Sequence, residues 1–531
     1  MRAAPPPLAL SLSQGLARTA PPPFALSLSK PHALHTLSDM RILVIHQNFP
    51  GQFGHLTKVW SQRPGWDVRA LGSETAPGLP GFDKLLRYKL ARKPHPQQHA
   101  YLRQMEAATL HGQATARAML HLRQQGFTPD VIVAHPGWGE TLYAKDVYPD
   151  ARLVHLCEWY YNAEGADLGF DPEFPLSFDD KARIRTWNAL HTLNLTNCDA
   201  AISPTHWQKS RHPEIFQPKI TVQHEGIDTE ALGPNPKASI TTPSGVLLKA
   251  GDPVITYVAR NLEPYRGFHI FMRALERIQK AHPTCHAVIV GGDGVSYGRK
   301  PKGAPNWREQ MLRDVKLDPA RTHFVGRLPY AQYLQVLKVS AAHVYLSYPF
   351  VLSWSLLEAM ACGVPIIGSD TPPVREVIRD GENGRLAGFF DVQALAQTTV
   401  EMLNIRNALV PMRKQARADA QGYGLDAGVA GYDRAIGCML PAPALAPAGD
   451  GPAGDHSTPS TADPIEFNTR DRELLHLLSA GHSTEQIAAL RHRSPSTVRN
   501  QLSALYQKLG VARRTEAVAK LSMLSQQKSK S

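Results

Sequence analysis

Val254-Ile-Thr-Tyr-Val-Ala-Arg260-Asn-Leu-Glu-Pro-Tyr-Arg266-Gly267 is the stretch whose reading decides the fold. Its first six residues, mostly β-branched or aromatic, predict a buried strand over 254–259. After Gly267, Ile270, Phe271, Ala274, Leu275 and Ile278 recur at the helical period and predict an amphipathic helix. Two guanidinium groups, Arg260 and Arg266, thus stand at the carboxyl end of a strand that feeds a helix. In an open parallel sheet that edge is where ligands bind, and paired Arg forks suit a diphosphate whose charge grows as it departs. A surface pair of Arg266 with Glu263 is the alternative reading.

The same rhythm runs outward in both directions. Short Val/Ile-rich runs at 41–46, 130–134, 152–156, 199–202, 220–223, 286–290, 322–325, 343–346 and 364–367 alternate with helical stretches, the pattern of βαβ units. The region is too long for one such sheet, and Pro234, Pro236, Pro243 and Gly245 interrupt it near the middle, so two Rossmann-like domains are expected, 40–240 and 241–440. Residues 1–39 repeat Ala-Pro-Pro-Pro followed by Ala-Leu-Ser-Leu-Ser and are read as a disordered extension, with Met40 the expected true start. Six prolines and a single large apolar residue, Leu445, make 441–464 a linker. Helical spacing returns over 465–527.

Further motifs gather at predicted strand ends. Ser347-Tyr-Pro-Phe-Val-Leu-Ser353-Trp-Ser-Leu-Leu-Glu358-Ala-Met-Ala-Cys-Gly363-Val-Pro365 reads as loop, short helix and glycine stop. Ser353 or Ser355 can cap that helix, whose free N–H groups then suit phosphate, and Glu358 is placed to accept sugar hydroxyls or, equally, to be a structural partner. The strand 41–46 runs into a turn with Gly51 and Gly54, of a kind that lets backbone approach a ligand. Strand 130–134 ends at His135 and Trp138, and Glu158-Trp-Tyr-Tyr-Asn-Ala-Glu164-Gly sets aromatic rings beside carboxylates, as carbohydrate recognition or plain packing would require.

These residues together resemble the retaining family 4 glycosyltransferases, over about 400 residues. The most specific parts are Leu356–Pro365, the Arg260/Arg266 pair, Val290-Gly-Gly-Asp-Gly294 and Phe324-Val-Gly-Arg327-Leu. The resemblance implies a GT-B fold, two Rossmann-like α/β domains facing a cleft. It implies a nucleotide-sugar donor such as a UDP- or GDP-sugar, a carbohydrate or lipid-linked acceptor, and no cofactor or metal, in keeping with the lack of a DxD signature. Arg260, Arg266, Glu358 and His135 would be catalytic, the two arginines on the diphosphate and Glu358 on the ribose. Gly51, Gly54, Trp138, Gly294, Arg327 and Ser353 would bind substrate. Phe350 stands where the family commonly has a glutamate that contacts the transferred sugar.

Residues 465–531 hold eleven Lys/Arg against five Asp/Glu, half of the chain's net charge of +12, which suggests a polyanion partner there or, as the alternative reading, a solvated basic face. Arg470-Asp-Arg-Glu-Leu-Leu, Ser494-Pro-Ser-Thr-Val-Arg-Asn-Gln-Leu and Leu505-Tyr-Gln-Lys-Leu-Gly-Val511 resemble the LuxR-type helix-turn-helix, an all-α module of four helices. That resemblance puts Arg499, Asn500 and Ser503 at base edges of DNA and Arg493, Thr497 and Lys508 near phosphates, and implies a homodimer. Sensing of sugar nucleotides by a DNA-binding regulator is the second function considered. Five scattered cysteines without a CxxC pair argue against a disulfide framework or zinc site. With no long apolar run or signal segment, the expected location is the cytoplasm, with peripheral attachment at the inner membrane face as the alternative.

Overall fold

The computed structural model describes residues 39–437 and, beyond them, Leu474, Leu477, Gln486, Ile487, Val498, Leu502 and Leu505. Two units separate, residues 1–442 and 443–531. The first contains two parallel sheets. One orders β1 (Arg41–Ile45), β2 (Asp67–Ser73), β3 (Leu85–Tyr88), β4 (Val131–Ala134), β5 (Arg152–Leu156), β6 (Ala200–Ser203) and β7 (Ile220–Val222) as β3-β2-β1-β4-β5-β6-β7. A short antiparallel hairpin of β8 (Ser239–Thr241) and β9 (Leu247–Lys249) follows. The second sheet orders β10 (Val254–Asn261), β11 (His286–Gly292), β12 (Thr322–Gly326), β13 (Ala342–Tyr345), β14 (Ile366–Ser369) and β15 (Arg385–Ala387) as β12-β11-β10-β13-β14-β15.

Helices cover both faces of each sheet, so the central strands are largely apolar, and β4, β13 and β14 are buried along their whole length. Every strand read from the sequence is present. Five were missed: β2, where Arg69 and Gly72 interrupt the Val/Ile pattern, and the short β3, β8, β9 and β15.

Strand order fixes where a ligand can sit. In the first sheet the chain order reverses between β1 and β4, and in the second between β10 and β13. At such a switch point the two flanking connections leave in opposite directions and open a crevice beyond the strands' carboxyl ends. His46 and His135 follow β1 and β4, while Arg260 is the penultimate residue of β10 and Ser347 to Phe350 follow β13.

The helix Leu425–Ile436 packs against the first sheet rather than the second. Tyr432 and Ile436 are buried with Val44, Phe53 and Trp60, and Asp433 accepts from Trp60 Nε1 at 2.9 Å and from Arg63 at 2.8 and 2.7 Å. Polar ties also join the halves across the crevice. The Glu376 carboxylate accepts the backbone N–H groups of His206 and Trp207 at 2.7 Å each, and Tyr348 Oη donates to Asp171 at 2.6 Å. The four cysteines described are free and buried. Among the described residues no helix is long and apolar enough to cross a membrane.

In the second unit Leu474, Ile487, Val498, Leu502 and Leu505 are helical and buried, in keeping with the helical spacing read over 465–527. The proposed DNA contacts Arg493, Thr497, Arg499, Asn500, Ser503 and Lys508 lie outside the described residues.

Candidate active site

Both switch points open into one cavity of about 760 Å³, lined from the first half by His46, Gly51, His135, Trp138, Glu158 and Tyr161 and from the second by Arg260, Arg266, Tyr297, Phe350 and Ser353. On the first side a hydrogen-bonded chain joins three strand ends. His46 Nδ1 accepts the Asn48 N–H at 3.0 Å, and its Nε2 bonds Gln52 Oε1 at 2.8 Å. Gln52 Nε2 donates to Glu158 Oε1 at 2.7 Å, and His135 Nε2 meets Glu158 Oε2 at 3.1 Å. His135 Nδ1 accepts the Gly137 N–H at 3.2 Å, which leaves Nε2 to carry the proton shared with Glu158. Burial, and after it the neighbouring His135, push the His46 pKa down to about 3. For Glu158, burial acts upward, but hydrogen bonds from His135 and Gln52 outweigh it and hold the carboxyl below its usual range. Gly51 is required here: a Cβ on it would lie 2.3 Å from the His46 ring, and its φ is +50°.

The second side supplies the cations. Arg260 is exposed to the cavity and has no hydrogen bond or ion pair among the described residues. Arg266 is buried; its Nη1 donates to Ser347 Oγ at 2.7 Å and to the Val351 carbonyl at 3.0 Å. It does not pair with Glu263, whose carboxylate instead accepts the backbone N–H groups of Ser296, Tyr297 and Gly298 at 2.9, 3.2 and 2.9 Å. The surface-pair alternative is therefore excluded, and Glu263 shapes the loop that carries Tyr297. Ser353 is the cap of the helix Trp354–Ala361, its Oγ accepting the Ser355 N–H at 3.4 Å. Phe350 is buried in a ring of aromatics, with centroids 5.0 Å from Trp159, 4.9 Å from Tyr297 and 5.5 Å from Tyr265.

Arg260, Arg266, His135, Gly51, Trp138 and Ser353 therefore meet as read from the sequence. Four other predicted residues do not line this cavity. Gly54 opens the helix behind Gly51. Arg327 Nη2 donates to Asn261 Oδ1 at 2.7 Å, and a Cβ on Gly294 would lie 3.1 Å from that same oxygen, so both support Asn261, which does line it. Glu358 is buried under Tyr330 and Tyr333, whose hydroxyls donate to its two oxygens at 2.9 and 2.7 Å; burial pushes its pKa up. Sequence reasoning missed His46, Gln52 and Glu225. Their signal was present only as positions after β1 and β7, because their roles arise from contacts across strands. Glu225 is fully buried at the cavity wall, and burial, then the charge on Glu158, push its pKa to about 8.

One group of three possible metal ligands exists among the described residues, Asp171, Glu173 and His269. Its two carboxylates are already engaged, since Glu173 forks onto Arg273 and Asp171 accepts from Tyr348 and from the Glu173 N–H, while the buried His269 holds Nε2 3.0 Å from Asp171 Oδ2.

Two nucleotide-fold halves with cations and polar groups converging from both switch points define a protein of the GT-B glycosyltransferase class. Residues 64–232 match the family described as glycosyl transferase family 4 group, residues 241–419 the glycosyl transferases group 1, and residues 467–521 the bacterial regulatory proteins of the luxR family. The chain belongs to the family 4 glycosyltransferases and carries a LuxR-family helix-turn-helix module at its carboxyl end. It is 27% identical to the glycogen synthase of Mycobacterium tuberculosis over 416 residues, covering 72% of this chain and 90% of that protein. It is 25% identical to the D-inositol 3-phosphate glycosyltransferase of Kribbella flavida over 327 residues, 58% of this chain and 72% of that protein. Among solved structures, Anabaena HepE in complex with UDP and glucose aligns with TM-score 0.53 at 17% identity, over 75% of this chain and all of that one. The sucrose-phosphate synthase of Thermosynechococcus elongatus aligns with TM-score 0.55 at 17% identity, over 74% and 98%.

Proposed function

We propose that the protein transfers a hexose, with retention and without a metal, from a nucleotide-diphosphate sugar to a hydroxyl of a carbohydrate or lipid-linked acceptor. The observation that carries this is the convergence of the unpaired Arg260, the anchored Arg266 and the helix start at Ser353 opposite the His135–Glu158 pair in one cavity. Arg260 and the free N–H groups of the helix hold the departing diphosphate, where charge accumulates as the bond from the anomeric carbon to the phosphate oxygen breaks. The acceptor oxygen bonds the anomeric carbon on the same face, and its proton passes to the departing diphosphate oxygen. The His135–Glu158 pair, with the carboxylate held ionised, orients the acceptor hydroxyl. Glu358 keeps lone pairs free beside its two tyrosine bonds, and the exposed Tyr330 can swing aside to admit a ribose. The UDP and glucose bound by the HepE structure support a UDP-sugar as donor.

The test is nucleotide release from a panel of UDP- and GDP-sugars, which Arg260→Ala must lower by about 10²–10³. A second reading, a DNA-binding regulator whose cleft senses sugar nucleotides, is favoured by the luxR-family match at 467–521. Under it, sugar nucleotide changes promoter occupancy in a mobility-shift assay while no nucleotide is released.

A further inference from the structure

A second cavity of about 970 Å³ adjoins the first. The two share Tyr161, Trp187, Ser296, Tyr297 and Phe350 in their walls, so those residues form a common threshold. At it Tyr161 and Trp187 stack, with ring centroids 4.4 Å apart and planes 24° apart, and both rings are half-buried. Beyond it Phe174 keeps part of its ring exposed while its edge meets His269 and Trp307.

Resting on the transferase reading above, we infer that this chamber is an acceptor subsite that holds a chain of linked sugar rings extending from the reacting hydroxyl. The first cavity has the size of a site for one drug-sized molecule, which a nucleotide sugar fills. An acceptor larger than a single ring must leave it, and the threshold leads into the larger chamber. Flat aromatic faces bordered by polar groups match a pyranose, which presents a C–H face and a rim of hydroxyls. The wall decides against a lipid tail. Five acidic and five basic side chains line it, among them Lys300 and Lys302, which are exposed and make no ion pair among the described residues. An acyl chain placed there would strip water from charged groups without replacing it, whereas hydroxyls hydrogen-bond to them.

The test uses maltooligosaccharide, cellooligosaccharide and chitooligosaccharide ladders of increasing length as probes on the full chain. Binding is read by calorimetry and transfer by product formation. In at least one ladder, affinity rises roughly tenfold from the shortest probe to the longest, the scale of one well-made aromatic contact, and Phe174→Ala flattens that ratio. Lys302→Ala, at an exposed side chain, lowers the same ratio by about threefold, the scale of one hydrogen bond. No dependence on length in any ladder, or a dependence that survives both substitutions, overturns the chamber. Failure of the transferase reading shows differently, as binding of a ladder with no nucleotide released from any donor.

Discussion

Arg260→Ala separates a functional arginine from a structural one. In the folded protein Arg260 is exposed and bonded to nothing described, so its removal leaves no partner stranded and changes stability by no more than about 0.5 kcal/mol. Hydrogen bonds between charged groups contribute about 1.5–3 kcal/mol each, and a fork that grips a diphosphate makes two. Much of that is expressed only as the leaving group gains charge, so kcat/KM for nucleotide release falls by about 10²–10³ with an unchanged melting temperature. Arg266→Ala behaves differently. Its guanidinium is buried and tied to Ser347 and Val351, so activity and melting temperature fall together. The two measurements are a coupled assay of released nucleotide and a thermal melt of the same preparations. An Arg260→Ala protein that keeps its kcat/KM within threefold refutes the placement of the diphosphate.

Glu225 is neutral in the folded state up to a pKa of about 8, far above the value it has unfolded, so the folded state binds more protons between those values and stability falls as pH rises through that window. Glu225→Gln removes this slope: relative to the parent, its melting temperature rises from pH 6 to pH 8, and an equal offset at both pH values is the contrary result. Asp433→Ala strands Trp60 Nε1 and Arg63 and frees the helix Leu425–Ile436, costing about 3–5 kcal/mol in denaturant unfolding. Phe350→Glu buries a carboxylate among Trp159, Tyr297 and Tyr265, so it lowers the melting temperature and does not raise nucleotide release; faster release at unchanged stability speaks against the packing role given to the ring. In a mobility shift, log affinity for DNA falls linearly with log salt and Arg499→Ala weakens it; a salt-insensitive complex contradicts the DNA reading.

What was legible in the sequence, and what was not, follows from the range of each interaction. β10 and the helix after it were readable because burial between two helical layers demands an unbroken apolar run, and a run is a local property. β2 escaped because Arg69 and Gly72 are tolerated by cross-strand surroundings that the run itself does not reveal: Arg69 forks onto Asp67 and lies over the Phe127 ring, and a Cβ on Gly72 would strike Ala76. The cavity divides the same way. Arg260, His135 and Ser353 sit at strand and helix ends, so reading the ends found them. His46 and Gln52 gain their roles only through contact that ends on Glu158, 106 residues from Gln52 in sequence, and no spacing rule reaches that far. Glu358 is the instructive middle case. The motif placed it near the right helix, yet Tyr330 and Tyr333, contributed by another helix, decide that each of its oxygens already accepts one hydroxyl and that Tyr330 stands between it and a ribose. Position within an element is written locally, whereas the protonation and availability of a side chain are set by what the fold brings against it.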